Sequence, residues 1–589
     1  MRCFSDYAAR QVELNTSDFL FSARRDISDQ LGRILSRYLS PVAPVVELRG
    51  GEWGSLAIVR CTHDDPRVLV EDANDVSVLI GDPVISGGSF THGTTRNELR
   101  RLHLHELLRT GAVQWRDQVD GQYAVLHVEK RSGRFTSVTD RFAFIPVFTA
   151  KSATNDCVIG THVDAVASAA GRQHDVDLVS VADVLETLTC TVPHTVYTGV
   201  TQQRAATVVT IDAPARETSV AYWEPAESNR PASIGEAAEV LRSGIADDIG
   251  AAISDVTSAG VLLSAGEDSR ALLGAIEARV PVTAVTFASW QSREARIAAR
   301  VARAHGAEHI LALRTPTHYT DGFRTVSAMM GSHHLFTDVH GFGLHEKVGL
   351  NAMPIVIGGL SSDSLLKGTY VSKPPVPVKA RSVDSLIRKD LLDEAHLRRE
   401  AHRRELEAIR PRSAREWSYL WPFSMRKHGG NVDGNRRLFA IHEPYHCNAA
   451  LDIAAATPVE WKLRRRLFVE AMKPFFRQTR FVPHADYLFP AFGAEVNMAL
   501  RPGLAVARGI RAIAKGETRV RQRSWPTWGS VANSAEARTI REQWPLRESP
   551  IREAFGPQRA DAVDSEIGTW YSLRRLALMQ LVYLSHLNA

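Results

Sequence analysis

The chain has 589 residues, of which 44% are hydrophobic, 23% charged and 7% aromatic. This is a globular composition, and at roughly 100–200 residues per domain the length calls for more than one domain rather than a single small binding module. Lys and Arg total 71 against 66 Asp and Glu, and the net charge of +5 is too slight on so large a surface for a global nucleic-acid or membrane footprint.

The five cysteines, Cys3, Cys61, Cys157, Cys190 and Cys447, are scattered and form no C-x-x-C pair. Neither a disulfide framework nor a zinc site is suggested, and a reducing cytoplasm fits best. Met1 to Arg10 is charged and lacks an apolar h-region, and nowhere do about 18 uncharged apolar residues run together. A cytoplasmic protein without nucleic-acid or membrane partners is expected.

Up to about Arg230 the chain reads as short β-type runs punctuated by turn residues: Ser55 to Val59, Arg67 to Val70, Val76 to Ile80, Tyr123 to Val128, Arg134 to Val138, Cys157 to Gly160 and Thr207 to Ile211. Gly81-Asp82-Pro83 and Arg131-Ser132-Gly133 supply turns, and Arg96 to Arg109 and Val179 to Thr187 read as helices. After Pro231 the texture changes. Ser233 and Glu236 form a capping box opening a helix with Val240, Leu241, Ile245 and Ile249 at helical spacing. Strands at 260–263, 282–287 and 310–313 then alternate with helices at 269–278 and 293–305, which argues for a parallel, helix-covered sheet. From Leu386 the chain is largely helical, with basic stretches at Arg398 to Arg415 and Arg501 to Arg523. Lys373-Pro374-Pro375-Val376-Pro377 reads as a loop. The division falls at residues 1–228 and 229–589.

The most informative segment is Val261-Leu262-Leu263-Ser264-Ala265-Gly266-Glu267-Asp268-Ser269-Arg270. An apolar strand runs through a small-residue turn into a helix, leaving backbone N–H groups and a helix N-terminus facing one concavity suited to an anion. A tight strand-to-helix turn alone would need the same small residues. Ser264 and Ser269 add hydroxyls, and Asp268 is placed to hold Mg²⁺.

This loop resembles the S-G-G-x-D-S pyrophosphate loop of the ATP-pyrophosphatase enzymes, with Ala265 at the first glycine. Ala tolerates φ > 0 poorly, which weakens the match. Val282 to Phe287 resembles the second strand of the asparagine-synthetase superfamily, and Ile355 to Tyr370 its strand and S-G-E-G-A-D-E-L-F-G-G-Y turn, with Asp363 on that pattern's aspartate. His442 to Pro458 resembles the R-x-P-F-L-D segment, and Arg464 to Ala471 the K-x-L-L-R-E-A helix start, where the lysine maps onto Arg465. Asp120 to Ala124, Thr139 to Phe148, Tyr197 to Val200 and Tyr222-Trp223 resemble segments of glutamine amidotransferase domains, and the tail helix Glu566 to Leu587 ends as such proteins usually do.

The resemblance implies an α+β amidotransferase-like (Ntn-type) β-sandwich domain followed by an α/β ATP-pyrophosphatase (adenine nucleotide α-hydrolase-like) domain with a helical C-terminal part. A glutaminase of this kind needs a cysteine at the mature amino terminus. Met1-Arg2-Cys3 offers no C-G-I start, so the first domain is expected to be inactive. The nucleophile then comes from the substrate, as in β-lactam synthetases and lasso-peptide cyclases. Leu360 agrees, standing where asparagine synthetases carry an ammonia-handling glutamate, and it also departs from the tyrosine of β-lactam synthetases at that position.

The implied cofactors are ATP and Mg²⁺. Leu263, Ser264, Gly266, Asp268, Ser269, Val285, Phe287, Gly358 and Gly359 would bind the nucleotide, and Asp268 and Asp363 the metal. Arg465, Tyr370 and Glu394 are the catalytic candidates, with Asp393 a further possible base or no protein base at all. The favoured substrate is a ribosomal precursor peptide whose Asp or Glu side chain is adenylated and then attacked by its own N-terminal amine. A leader peptidase and a leader-recognition protein are implied partners. The basic stretches would face the peptide or lie solvated. An asparagine-synthetase-type amidotransferase, a β-lactam-synthetase-like ring closer on a small molecule, and an inactive scaffold are the alternatives.

Overall fold

The computed structural model describes residues 18–39, 45–60, 69–86, 96–212, 216–227, 230–276, 279–372, 386–421, 427–484, 489–493, 495–500, 502–503, 525–556, 563 and 570–588. Cys3, Cys61, Arg67, the 373–377 loop and most of the basic stretch at 501–523 lie outside the described residues.

The amino-terminal strands are β1 (Asp18–Ser22), β2 (Val45–Gly51), β3 (Gly54–Arg60), β4 (Leu69–Glu71), β5 (Asp75–Gly81), β6 (Val84–Ile85), β7 (Val119–Asp120), β8 (Tyr123–Glu129), β9 (Phe135–Thr139), β10 (Phe148–Lys151), β11 (Cys157–Gly160), β12 (Val200–Gln202), β13 (Thr207–Asp212) and β14 (Arg216–Ala221). Twelve of them build two antiparallel six-stranded sheets, ordered β12-β10-β11-β1-β3-β2 and β14-β13-β9-β8-β5-β4, and β6 and β7 pair separately. Period-2 alternation decides what each strand buries. From β1, Phe19 and Phe21 join Ile58, Val78, Leu126 and Phe135 in the layer between the sheets. Leu20 points the other way, into a core shared with Leu31 and Leu35 of the helix Ser28–Leu39. Gly81 shows why the first turn needs its glycine: φ is +92°, and a Cβ would lie 2.2 Å from the Gln122 carbonyl oxygen.

The second half begins with the helix Ile234–Ala252. Ser233 Oγ accepts from Glu236 N at 3.1 Å, and the Glu236 carboxylate accepts from Ala232 N at 2.6 Å, one residue before the cap. Strands β15 (Ala259–Leu262), β16 (Val282–Ala288), β17 (Glu308–Leu313), β18 (Val356–Ile357) and β19 (Ile441–His442) form one parallel sheet, ordered β17-β16-β15-β18-β19. The helices Asp268–Ile276 and Arg293–Ala304 connect the first three strands. The helix Ser572–Leu587 is buried along most of its length in the same core as the amino-terminal helix, and Asn588 hydrogen-bonds Tyr38 Oη at 2.5 Å and Tyr197 Oη at 2.7 Å. No described helix is long and apolar enough to cross a membrane.

A four-charge network joins the halves. Asp18, at the start of β1, accepts from Arg436 Nη2 at 2.9 Å and from Arg437 Nε and Nη2, both at 2.9 Å. Asp433 binds the same arginines at 2.8 and 2.6 Å, and Thr161 Oγ1 donates to Asp18 at 2.8 Å. All four charged side chains are buried. Burial alone would raise the Asp18 pKa, but the two guanidinium groups overcome it and hold the carboxyl well below its ordinary range. Removing one member strands buried charge, so Asp18→Ala is expected to cost about 3–5 kcal/mol, read as a lowered urea midpoint. An unchanged midpoint would show that the network does not bear on stability.

Candidate functional site

The carboxyl ends of β15, β16 and β18 lie side by side, and such an edge is where parallel α/β sheets bind ligands. Leu263 N donates to Val285 O at 2.8 Å, Thr286 Oγ1 to Leu263 O at 2.8 Å, and Gly358 N to His442 O at 2.8 Å. Leu263, Val285 and Gly358 are thus brought together. Phe287 sits one pleat further along β16, its ring against Gly341 and 5.8 Å from the Arg314 guanidinium.

The connection from β15 to the helix Asp268–Ile276 alternates in exposure. Leu263, Ala265 and Glu267 are buried, while Ser264, Gly266 and Asp268 are partly accessible. The loop's own hydroxyls fix it: Ser269 Oγ accepts from Ser264 N at 3.0 Å, and Ser264 Oγ from Gly266 N at 3.1 Å. Arg270 supports it from below, donating to Ala265 O at 3.3 Å and Val482 O at 2.5 Å. Ala265 is not among the residues with positive φ, so this loop does not require a glycine there. Gly359 crosses close behind it, where a Cβ would lie 3.1 Å from Ser269 N.

Asp268 and Asp363 do approach each other, through an ammonium group. Lys367 Nζ lies 2.8 Å from Asp363 Oδ1 and 2.9 Å from Glu267 Oε1, and also contacts Asp268 Oδ1. The Phe468 ring centroid is 4.2 Å from the same nitrogen. Burial, with Asp363 and Glu267 nearby, raises the Asp268 pKa to about 6 despite the lysine. The expected Mg²⁺ position between the two aspartates is therefore filled by a cation of the chain itself. No group of three or more His, Cys, Asp or Glu side chains among the described residues is arranged to hold a metal.

Arg465 does reach the loop. Its guanidinium pairs with Glu267 and donates to Phe492 O at 3.3 Å, from a backbone with φ of +63°. Tyr370 lies just past Lys367 with its ring buried, 6.0 Å from that of Tyr419. Glu394 is not at the loop. It is half-exposed on the helix Lys389–Ile409, 4.0 Å from Arg398, while Asp393 pairs with Lys389. That helix packs on the helix Leu178–Thr187, where Arg398 meets Asp177 at 2.7 Å and Arg399 meets Asp183 and Glu186, both at 2.6 Å. Arg403 pairs with Glu400 and Glu407, and Arg410 is buried against Pro225 O and Ala455 O. Arg398, Arg399 and Arg410 are thus spent on contacts between elements, while Arg404, Arg412 and Arg415 of the same stretch are exposed.

Lys367, Glu267 and Glu443 escaped the sequence reading. Glu443 is buried under the β18 edge; its Oε2 accepts from Leu360 N at 2.9 Å, and a Cβ on Gly358 would lie 2.0 Å from Oε1. The amidotransferase-like motifs converge nearby. His446 bonds Ser361 Oγ at 2.6 Å, stacks on Phe144 with centroids 3.9 Å apart, and contacts the Gln122 amide. Asp120 accepts from Asn448 N at 2.6 Å, and Arg141 donates to Asp452 at 2.7 Å. A cavity of about 630 Å³ lined by Tyr222, Trp223 and Asp452 opens at this junction, not at the strand ends.

Two domain families match the chain. Residues 102–223 match the glutamine amidotransferase domain family, and residues 242–478 match asparagine synthase. The pair of matches supports a likeness to the asparagine synthetase superfamily. No curated protein matches it. Among solved structures, the allosteric regulatory enzyme of purine biosynthesis is 10% identical, with 50% of this chain and 80% of that one covered at a TM-score of 0.25. Glutamine phosphoribosylpyrophosphate amidotransferase from B. subtilis, complexed with ADP and GMP, is 10% identical, with 50% and 65% covered at a TM-score of 0.22. The phosphate-type loop, Lys367 and Arg465 all fall inside the asparagine synthase match.

Burial pushes the Glu443 carboxyl up to about 8, against the lowering effects of Leu360 N and His442. Its folded pKa exceeds its unfolded value of 4.5, so its contribution to stability is complete below pH 4.5 and is lost as pH rises through about 8. Glu443→Gln should match wild type near pH 4.5 and gain on it steadily up to about pH 8, by a few kcal/mol. Denaturation midpoints of both proteins across pH 5–9 check this, and a constant difference would refute a neutral Glu443.

Proposed function

We propose that this chain is an ATP-dependent, AMP-forming carbon–nitrogen ligase that closes an amide ring within one peptide, as in lasso-peptide maturation. The observation carrying the ATP reading is the strand-end loop, whose accessible members are Ser264, Gly266 and Asp268. In this reading the division falls between residues 228 and 229, adenine lies along Leu263, Val285, Phe287, Gly358 and Gly359, and the phosphates lie over Ser264 to Ser269.

A substrate carboxylate oxygen attacks the α-phosphorus, and the bond from that phosphorus to the bridging oxygen breaks, releasing pyrophosphate. The peptide's N-terminal amine then attacks the acyl carbonyl, loses a proton, and expels AMP. Arg465, anchored on Glu267, supplies positive charge beside the departing phosphates, the kind of fixed electrostatic support that stabilises a transition state. Holding both ends of one peptide at attack distance replaces a bimolecular encounter. No step is assigned to magnesium, because Lys367 takes the place expected for it.

The intramolecular amine is favoured by Leu360, an apolar side chain at the ammonia-handling position. The described cysteines also lack reactive character: burial raises the thiol of Cys157 to about 12 and those of Cys190 and Cys447 well above the ordinary value. The substrate's peptide character rests on the superfamily resemblance. A leader peptidase and a leader-recognition protein belong to the same proposal.

Pyrophosphate release should appear with ATP and a candidate precursor peptide, and Arg465→Ala should reduce it by at least about a hundredfold, the scale of losing one preorganised electrostatic group. Release driven instead by aspartate with ammonia or glutamine would replace the cyclase reading with an asparagine-synthetase-type one. No release under any condition, with Arg465→Ala indistinguishable from wild type, would mark the domain as a scaffold.

A further inference from the structure

The three oxygens around Lys367 Nζ come from Glu267, Asp268 and Asp363, one for each hydrogen of an ammonium group. The side chain is only 6% exposed, and the Phe468 ring closes the side away from the carboxylates. Asp363 is four residues earlier on the same helical turn, so helix geometry holds donor and acceptor together. Glu267 is tied from its other side by Arg465, leaving three carboxylates facing two cations.

This arrangement resists a metal. Magnesium needs about six oxygens at close to 2 Å and keeps several waters. Taking the Asp268 and Asp363 oxygens would leave the Lys367 ammonium buried against an aromatic ring with Glu267 as its one remaining counter-charge, and Arg465 already draws on Glu267. A divalent ion at this point would also be repelled by the ammonium beside it.

Resting on the ATP reading above, we infer that Lys367 is the built-in cation of this site: it occupies the point between Asp268 and Asp363, keeps the nucleotide-free protein from taking up a divalent ion there, and offsets the carboxylate charge that nucleotide phosphate would otherwise meet. The second part follows from the charge balance, because without Lys367 the three carboxylates would stand beside the loop with Arg465 as their one cation.

Mn²⁺ titration of the nucleotide-free full-length protein, followed by electron paramagnetic resonance, tests the first part. Lys367→Gly, which restores the residue of the S-G-E-G-A-D-E-L-F-G-G-Y pattern, and Lys367→Met, which keeps the stem without the charge, should each bind Mn²⁺ at least about tenfold more tightly than wild type, equivalent to about 1.4 kcal/mol. Equal binding in all three, with the variants folded by circular dichroism, would overturn the inference. The second part is tested by calorimetric titration with inorganic pyrophosphate in EDTA: wild type should bind and Lys367→Met should bind at least about tenfold more weakly. Equal pyrophosphate affinity would overturn this half. Failure of wild type to bind either pyrophosphate or ATP would overturn the ATP reading and leave the Mn²⁺ result to decide the first part independently.

Discussion

The position of Asp18 governs much of this molecule. It stands at the start of a strand central to one amino-terminal sheet, and its two arginine partners belong to the second half, a few residues before β19. Through them the sandwich fixes where β19 begins, and hence where Glu443 and His446 meet the turn after β18 and Tyr445 meets the phosphate-type loop. Tyr445 Oη donates to Asp268 O at 3.0 Å, so a buried ion network in one half is transmitted by a short stretch of chain to the helix start in the other. Two positive and two negative charges cancel, which is why the network can be buried at all.

The amidotransferase-like motifs also hold the two halves together. Asp140 accepts backbone N–H bonds from Tyr123, Phe142, Phe144 and Ile145 and thereby shapes the turn that carries Arg141. Arg141 then reaches Asp452, while Asp120 and Gln122 reach Asn448 and His446. Each of these contacts holds part of the 446–452 segment of the second half. Ala143, at the glycine of the D-R-x-G pattern, takes φ of +49°, so the turn's shape is kept at some backbone cost.

Local signals were legible. Alternation with Gly-Asp turns marked β5, β8 and β9, the Ser233 cap marked its helix, and the strand-loop-helix pattern marked the phosphate-type loop, all features with a sequence range of a few residues. Partners distant in the chain were not legible. Arg398 and Arg399 looked like a free basic face because Asp177, Asp183 and Glu186 lie far upstream, and Glu394 looked available because nothing local shows which side of its helix is packed. Lys367 had a local clue in its four-residue spacing from Asp363, but an ammonium inside an expected magnesium site becomes visible only when Glu267 and Asp268 are brought beside it by the sheet.

The helix Ser572–Leu587 carries a consequence for biosynthesis. Its apolar side chains share one core with Leu20, Leu31 and Leu35, and Asn588 bonds both Tyr38 and Tyr197. On the ribosome that helix emerges several hundred residues after the sandwich it completes, a wait on the order of tens of seconds at ordinary elongation rates. Throughout that interval the face of β1 that carries Leu20 lacks part of its cover. The amino-terminal half therefore reaches its final packing only after the helix Ser572–Leu587 has been made.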